Sequence, residues 1–313
     1  MAPPLAGLLV VDLTRYLPGA YASRELLRLG ARVVRIEPPE GDPLRGTAPA
    51  WHDALNAGKE SVVCDLKTSE GQSFGRALLG RADVVLEGFR PGVAERLGVG
   101  PDDACPDAVY CSITGFGLGG RHEQRAGHDL NYLGWAGALA DTAPGLPPVQ
   151  IADLAAGALG AVTQILAALV AGGGARITVS MTHRSHDLVA HRVGGDPIPK
   201  LLTGGVACYR IYETADARHL TVSALEPRFW QRLCEVVERR ELIPRQWEPR
   251  LPELEDVIAS RPLAEWLALF DGEDVCAGPV ATLDEAAREF GMDATGVAPR
   301  LGEHTLAWRG EVR

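Results

Sequence analysis

The sequence predicts an α/β protein with a doubly wound parallel sheet in a large domain and a smaller α+β domain after it. Two observations carry this. Through the first half of the chain, short apolar runs alternate with segments of helical period, the pattern of βαβ units. After a Gly/Pro-rich break at 192–205, the pattern changes to a hairpin followed by helices.

Residues 7–13, GLLVVDL, form a continuous apolar run, as in a strand buried on both faces. Residues 20–30, AYASRELLRLG, have helical spacing and stop at a glycine. A second strand is expected over 31–37, ARVVRIE, closed by Pro38 and Pro39. The pattern then gives a strand at 61–66, a helix at 69–82, and strands at 83–88 and 108–117. In such sheets ligands bind outside the carboxyl ends of the strands. Residues 206–225 read as a β-hairpin with ETADAR (213–218) at its turn, followed by helices at 228–238 and 263–270. Residues 294–305 read as extended and loop-like.

Composition narrows the function. The chain of 313 residues is 46% hydrophobic and 23% charged, ordinary for a soluble globular protein. Its formal charge of −10 argues against non-specific nucleic-acid binding. Any anionic ligand would need a local basic patch. The 28 Arg against three Lys carry no function by themselves. Six scattered Cys without a CxxC pair, and no signal peptide, predict reduced thiols in a cytoplasmic protein. The apolar stretch 154–174 is near the minimum for a membrane span, but Thr163, Gln164 and its glycines favour a core helix, so no membrane partner is expected.

Several stretches bear chemistry. GFGLGG at 115–120 follows a strand, yet no amphipathic helix opens after it, which argues against a nicotinamide site. HRSHDLVAH at 183–191 matches no standard zinc spacing and reads as a solvent-facing helix, so no metal is expected. Asp153 precedes a helical run; a helix cap with a lowered pKa is the simpler reading and an acid/base the functional one. His128 follows Gly127 at a helix start, where Asp129 could cap and outward N–H groups could receive an oxyanion. A core histidine is its plain alternative. Glu226 precedes a Pro-started helix, either complementing the helix dipole or orienting His128.

These residues fall within a series of motifs: LVVDLTRYLPGAYAS (9–23), GARVVRIEPPEGDPLR (30–45), NAGKESVVCDLKTSEG (56–71), VVLEGFRPGVAERLG (84–98), GHDLNYL (127–133), IADLAAG (151–157), ACYRIYETAD (207–216) and SALEPRFW (223–230). The series resembles the α-methylacyl-CoA racemases, within the family III CoA-transferase superfamily. It covers about residues 1–235, with weaker matches to 305.

The resemblance implies a Rossmann-like large domain over 1–191, a linker at 192–204, a small domain over 205–282 and a tail at 283–313 returning to the large domain. It implies an interlocked homodimer with Glu226 reaching His128 from the partner chain. It assigns catalysis to His128, Asp153, Glu226 and Asp129. Coenzyme A, as part of an acyl-CoA thioester substrate and not a prosthetic group, would contact Arg35, Cys64, Asp65, Leu66, Lys67, Gly88, Phe89, Arg90, Arg96, Gly127, Leu130, Asn131 and Tyr132. The implied activity is racemisation or epimerisation at the α-carbon. CoA transfer with Asp153 as nucleophile is the rival, and a repurposed member in a specialised pathway a third reading. Pro38, Ala155 and Ala156 depart from the family pattern, as do a shortened 181–204 region and a trimmed tail.

Overall fold

The computed structural model describes residues 2–291 and 296–312. The chain divides into two units, Met1–His191 with Ala294–Arg313, and Arg192–Asp293.

The first unit is built on six parallel strands in the order β3-β2-β1-β4-β5-β6. They are β1 (Leu9–Asp12), β2 (Arg32–Glu37), β3 (Glu60–Val63), β4 (Val84–Glu87), β5 (Val109–Thr114) and β6 (Arg176–Ser180). Neighbouring residues on a strand point to opposite faces, and here both faces are covered. Val10, Val33 and Val84 join one apolar core, while Val11, Val34 and Val85 join the other. This is why β1 and β4 read as near-continuous apolar runs. The order reverses between β1 and β4, so a crevice opens where their carboxyl ends diverge.

Three features differ from the expectations. β6 (RITVS) has no continuous apolar run; it is an edge strand whose Arg176 and Thr178 are exposed. The expected strand 108–117 ends at Thr114, because the Gly115 carbonyl turns to accept the Thr182 N–H and hydroxyl. The apolar stretch begins as a π-helix, Ala152–Leu159, and continues as the α-helix Gly160–Val170. It is long and apolar enough to cross a membrane by length and composition. Its inner side, from Ala152 through Ala158 and Ala161 to Ile165, enters the core with Val10, Ala22 and Leu26.

The second unit contains an antiparallel sheet of β7 (Tyr209–Glu213), β8 (His219–Ser223) and β9 (Ala277–Pro279). The hairpin is the one the alternation predicts. β9 has no strand signature, since its residues are AGP; it is recruited by backbone pairing to β8. Helices Pro227–Val236, Pro252–Ile258 and Leu263–Phe270 bury Trp230, Leu233, Leu254 and Trp266 against this sheet. The segment 192–204 clusters with this unit, as does helix Leu283–Phe290, where a tail was expected to begin. Thr282 caps that helix, and Arg218 pairs with its Glu285 at 2.9 Å. The loop expected at 294–305 lies partly outside the described residues. From 296 the chain runs along the first unit and ends in helix Thr305–Glu311.

Candidate active site

The crevice at the carboxyl ends of β1, β4, β5 and β6 holds a cavity of about 450 Å³. Thr14–Tyr16 wall it on the β1 side, Gly88–Pro91 on the β4 side, Ile113–Gly115 from β5 and Met181 from β6. His128, Tyr132 and Asp153 line the same space. A second cavity of about 260 Å³ lies nearer β2 and β3, lined by Leu13, Ile36, Pro38, Pro39, Glu40 and the run Cys64–Lys67.

The β1 wall is set from beneath. Asp12 is fully buried and accepts the Thr14 N–H at 2.8 Å, the Thr14 hydroxyl at 2.6 Å and the Ser23 hydroxyl at 2.5 Å. Lys59, also buried, donates to the Ala20 carbonyl, the Ser23 hydroxyl and the Asn56 amide oxygen. Burial drags the Lys59 ammonium down to about 7 against the pull of Asp12.

His128 stands just before helix Asp129–Trp135, exposed to the cavity. The helix start is held by Asn131, not by Asp129: the Asn131 side-chain oxygen accepts the His128 N–H at 3.1 Å. The preceding turn is held by Tyr132, whose hydroxyl donates to the Gly127 carbonyl at 2.5 Å. A Cβ at Gly115 would fall 2.5 Å from the Tyr132 ring and one at Gly127 2.7 Å from it, so both glycines are required by close approach.

Asp153 departs from the helix-cap expectation. It lies inside the first turn of the π-helix, where π geometry is frequent at functional sites. The N-cap position is Ile151, not Asp153. Instead the Asp129 carboxylate accepts the Asp153 backbone N–H at 2.9 Å. Burial first, and the Asp129 charge second, push the Asp153 carboxyl up to about 7. The simpler sequence reading is thus reversed in sign, because burial and a like charge outweigh any helix-terminus effect.

The remaining predicted positions separate into groups. Cys64, Asp65, Leu66 and Lys67 line the second cavity, Gly88, Arg90, Gly127 and Tyr132 the first, and Phe89 both. Arg35 lines neither cavity. The parallel register sets it beside Asp12, where it is 2% exposed. Its guanidinium donates to Asp42 at 2.7 Å and meets His52 at 3.3 Å. Arg96, Leu130 and Asn131 are exposed and line neither cavity. Glu226 lies in the second unit, immediately before helix Pro227–Val236. Among the described residues, no three His, Cys, Asp or Glu are grouped to hold a metal ion.

Sequence reasoning missed Arg15, Tyr16, Arg125 and Met181 as lining residues. A signal existed for Arg15 and Tyr16, since they follow the first strand at the point where ligands of doubly wound sheets bind.

Residues 5–308 match the CoA-transferase family III. The chain is 34% identical to the alpha-methylacyl-CoA racemase of Homo sapiens, over 90% of this chain and 78% of that protein. It is 29% identical to the succinyl-CoA:glutarate CoA-transferase of Homo sapiens, over 88% of this chain and 72% of that one. The crystal structure of a CAIB/BAIF family protein from Brucella suis superposes with a TM-score of 0.85 at 26% identity, covering all of both chains.

Proposed function

The chain belongs to the CoA-transferase family III, and from that premise we propose that it is a racemase or epimerase exchanging the α-proton of a 2-methylacyl-CoA or related thioester. The observation that carries this reading is the pairing of His128 and Asp153 on one cavity, with the Asp153 carboxyl pushed up to about 7. A two-base exchange needs one group charged and the other neutral, with roles reversing in the return direction. A carboxyl that titrates near neutrality serves either role.

In this mechanism the thioester carbonyl acidifies the α-hydrogen. His128 removes it from one face, and the resulting enolate oxygen is received by the backbone N–H of Asp129. Neutral Asp153 then delivers a proton to the other face. Asp129 is a positioning residue, holding the Asp153 backbone while its charge keeps the Asp153 proton on. Glu226 would stabilise the imidazolium from a second copy of the chain. The CoA portion would lie along Cys64–Lys67 and Gly88–Arg90, the lining of the two cavities.

CoA transfer with Asp153 as nucleophile is the second reading, favoured by the transferase relative that matches almost as much of the chain as the racemase. Incubation with 2-methylacyl-CoAs in D₂O, read by mass spectrometry, separates the two. Racemisation gives deuterium at the α-carbon without any acceptor acid, and His128→Ala slows that uptake by about 10²–10⁴-fold with binding nearly intact. Undiminished uptake in His128→Ala would remove His128 from the mechanism. No uptake, with acceptor-dependent CoA exchange and inactivation by hydroxylamine during turnover, would establish transfer instead.

A further inference from the structure

Arg15 and Phe89 are the two side chains that line both cavities. Arg15 is exposed, and no ion pair or side-chain hydrogen bond engages its guanidinium among the described residues. The charges around it are unequal. On the second cavity Lys67 faces Glu40 and Asp65, so without Arg15 that lining carries more negative than positive charge. The first cavity has Arg90 and Arg125 beside Glu123 and Asp153. Arg15 is the charged side chain common to both linings and so offers a cation to an anionic group that spans them, within a chain whose net charge is −10.

The backbone presents Arg15 firmly. Thr14 before it is tied to buried Asp12 through both N–H and hydroxyl. Tyr16 after it has φ +63°, a left-handed conformation uncommon for a bulky residue. A side chain at Gly19 would collide with Thr14, so the loop is folded closely on itself. Strain of this kind persists where surrounding structure over-determines it, and it clusters at ligand clamps.

We propose that Arg15 is a ligand-binding residue that clamps an anionic oxygen group of the thioester substrate at the passage between the two cavities. The inference rests on the acyl-CoA reading. The anion has two possible sources, a phosphate of the CoA moiety or a carboxylate at the far end of the acyl group. Guanidinium recognises both through paired N–H donors, which an ammonium cannot reproduce.

Calorimetry of wild type, Arg15→Ala and Arg15→Lys tests it, with free coenzyme A, a neutral acyl-CoA and a carboxyl-terminated acyl-CoA as probes. Circular dichroism first establishes that each variant is folded. Arg15→Ala is expected to weaken binding by about tenfold or more, and Arg15→Lys to recover only part of the loss. Equal losses on all three probes assign the anion to the phosphates. A loss confined to the carboxyl-terminated probe assigns it to the acyl end. Wild-type affinity for every probe in folded Arg15→Ala overturns the role of Arg15 and leaves the acyl-CoA reading standing. If wild type binds none of the probes, both fall.

Discussion

At the scale of single residues, the protonation of Asp153 links the proposed catalysis to stability. Its carboxyl is pushed up to about 7, while an unfolded aspartate titrates near 4. The folded state therefore binds the extra proton between these values. By linkage this contribution is fully present below the unfolded pKa and is lost as pH rises through the folded one. At pH 8 the protein carries a half-buried carboxylate beside the Asp129 charge. Asp153→Asn removes that burden. The variant should be more stable than wild type at pH 8, by up to about 2–4 kcal/mol, since each tenfold change in proton affinity is worth about 1.4 kcal/mol. The gain should shrink as pH falls toward 4, and catalysis should be lost. Urea denaturation at several pH values checks the crossing. A pH-independent difference would show that the Asp153 charge is not under strain. This residue also marks a limit of the sequence. Its identity and place before a helical run are legible, but the sign of its shift depends on Asp129, 24 residues earlier, and on burial that only the folded chain supplies.

At the scale of elements, the turn before helix Asp129–Trp135 is fixed by one aromatic side chain. Tyr132 meets the ring of Phe116 edge to face, with centroids 5.3 Å apart, and its hydroxyl ties down Gly127 beside His128. Gly115 at the end of β5 makes room for the same ring. Gly115→Ala would place a methyl 2.5 Å from a ring carbon, so Tyr132 or the backbone must move. This should cost about 1–3 kcal/mol by urea denaturation and slow α-proton exchange by displacing His128. Gly120→Ala is the control, because its Cβ meets nothing within 4 Å. It should change stability by no more than about 0.5 kcal/mol. Equal effects from the two variants would mean the loop tolerates displacement throughout. Elements were legible where a run is apolar on both faces, as in β1, β2 and β4. They were not where pairing alone makes the strand. β6 alternates at an edge, and β9 is a Gly–Pro segment selected by its partner. The candidate site followed the same division: local motifs single out His128 and Asp153, which line one cavity, whereas Arg35 could not be seen to face Asp12 until the register was known.

At the scale of the whole molecule, the C-terminal segment completes the first unit's sheet at its β3 edge. The Gly302 N–H donates to the Ser61 hydroxyl and the His304 N–H to the Ser61 carbonyl, while the Val63 N–H donates to the Thr305 hydroxyl. An unpaired edge would otherwise be left open to solvent or to another chain. Trp308 anchors the cover. It is fully buried, its indole N–H donates to Glu60 at 2.6 Å, and the Arg32 guanidinium lies 4.2 Å from its ring centre. It packs into the same core as Val34, Val62 and Leu78, behind the second cavity's Cys64 and Ile36. Trp308→Ala should therefore destabilise the first unit by about 3–5 kcal/mol. It should also weaken coenzyme A binding, since Cys64 and Ile36 would lose the packing behind them. Trp308→Phe keeps most of the apolar volume but leaves the buried part of Glu60 without its indole donor, so a smaller loss is expected. A urea titration with CoA binding measured in parallel reads both effects. If Trp308→Ala unfolds at the wild-type urea concentration, the C-terminal helix is only an appendage to the sheet. If its midpoint falls but CoA affinity is unchanged, the edge is stabilised by Trp308 while the cavity is shaped by the strands alone.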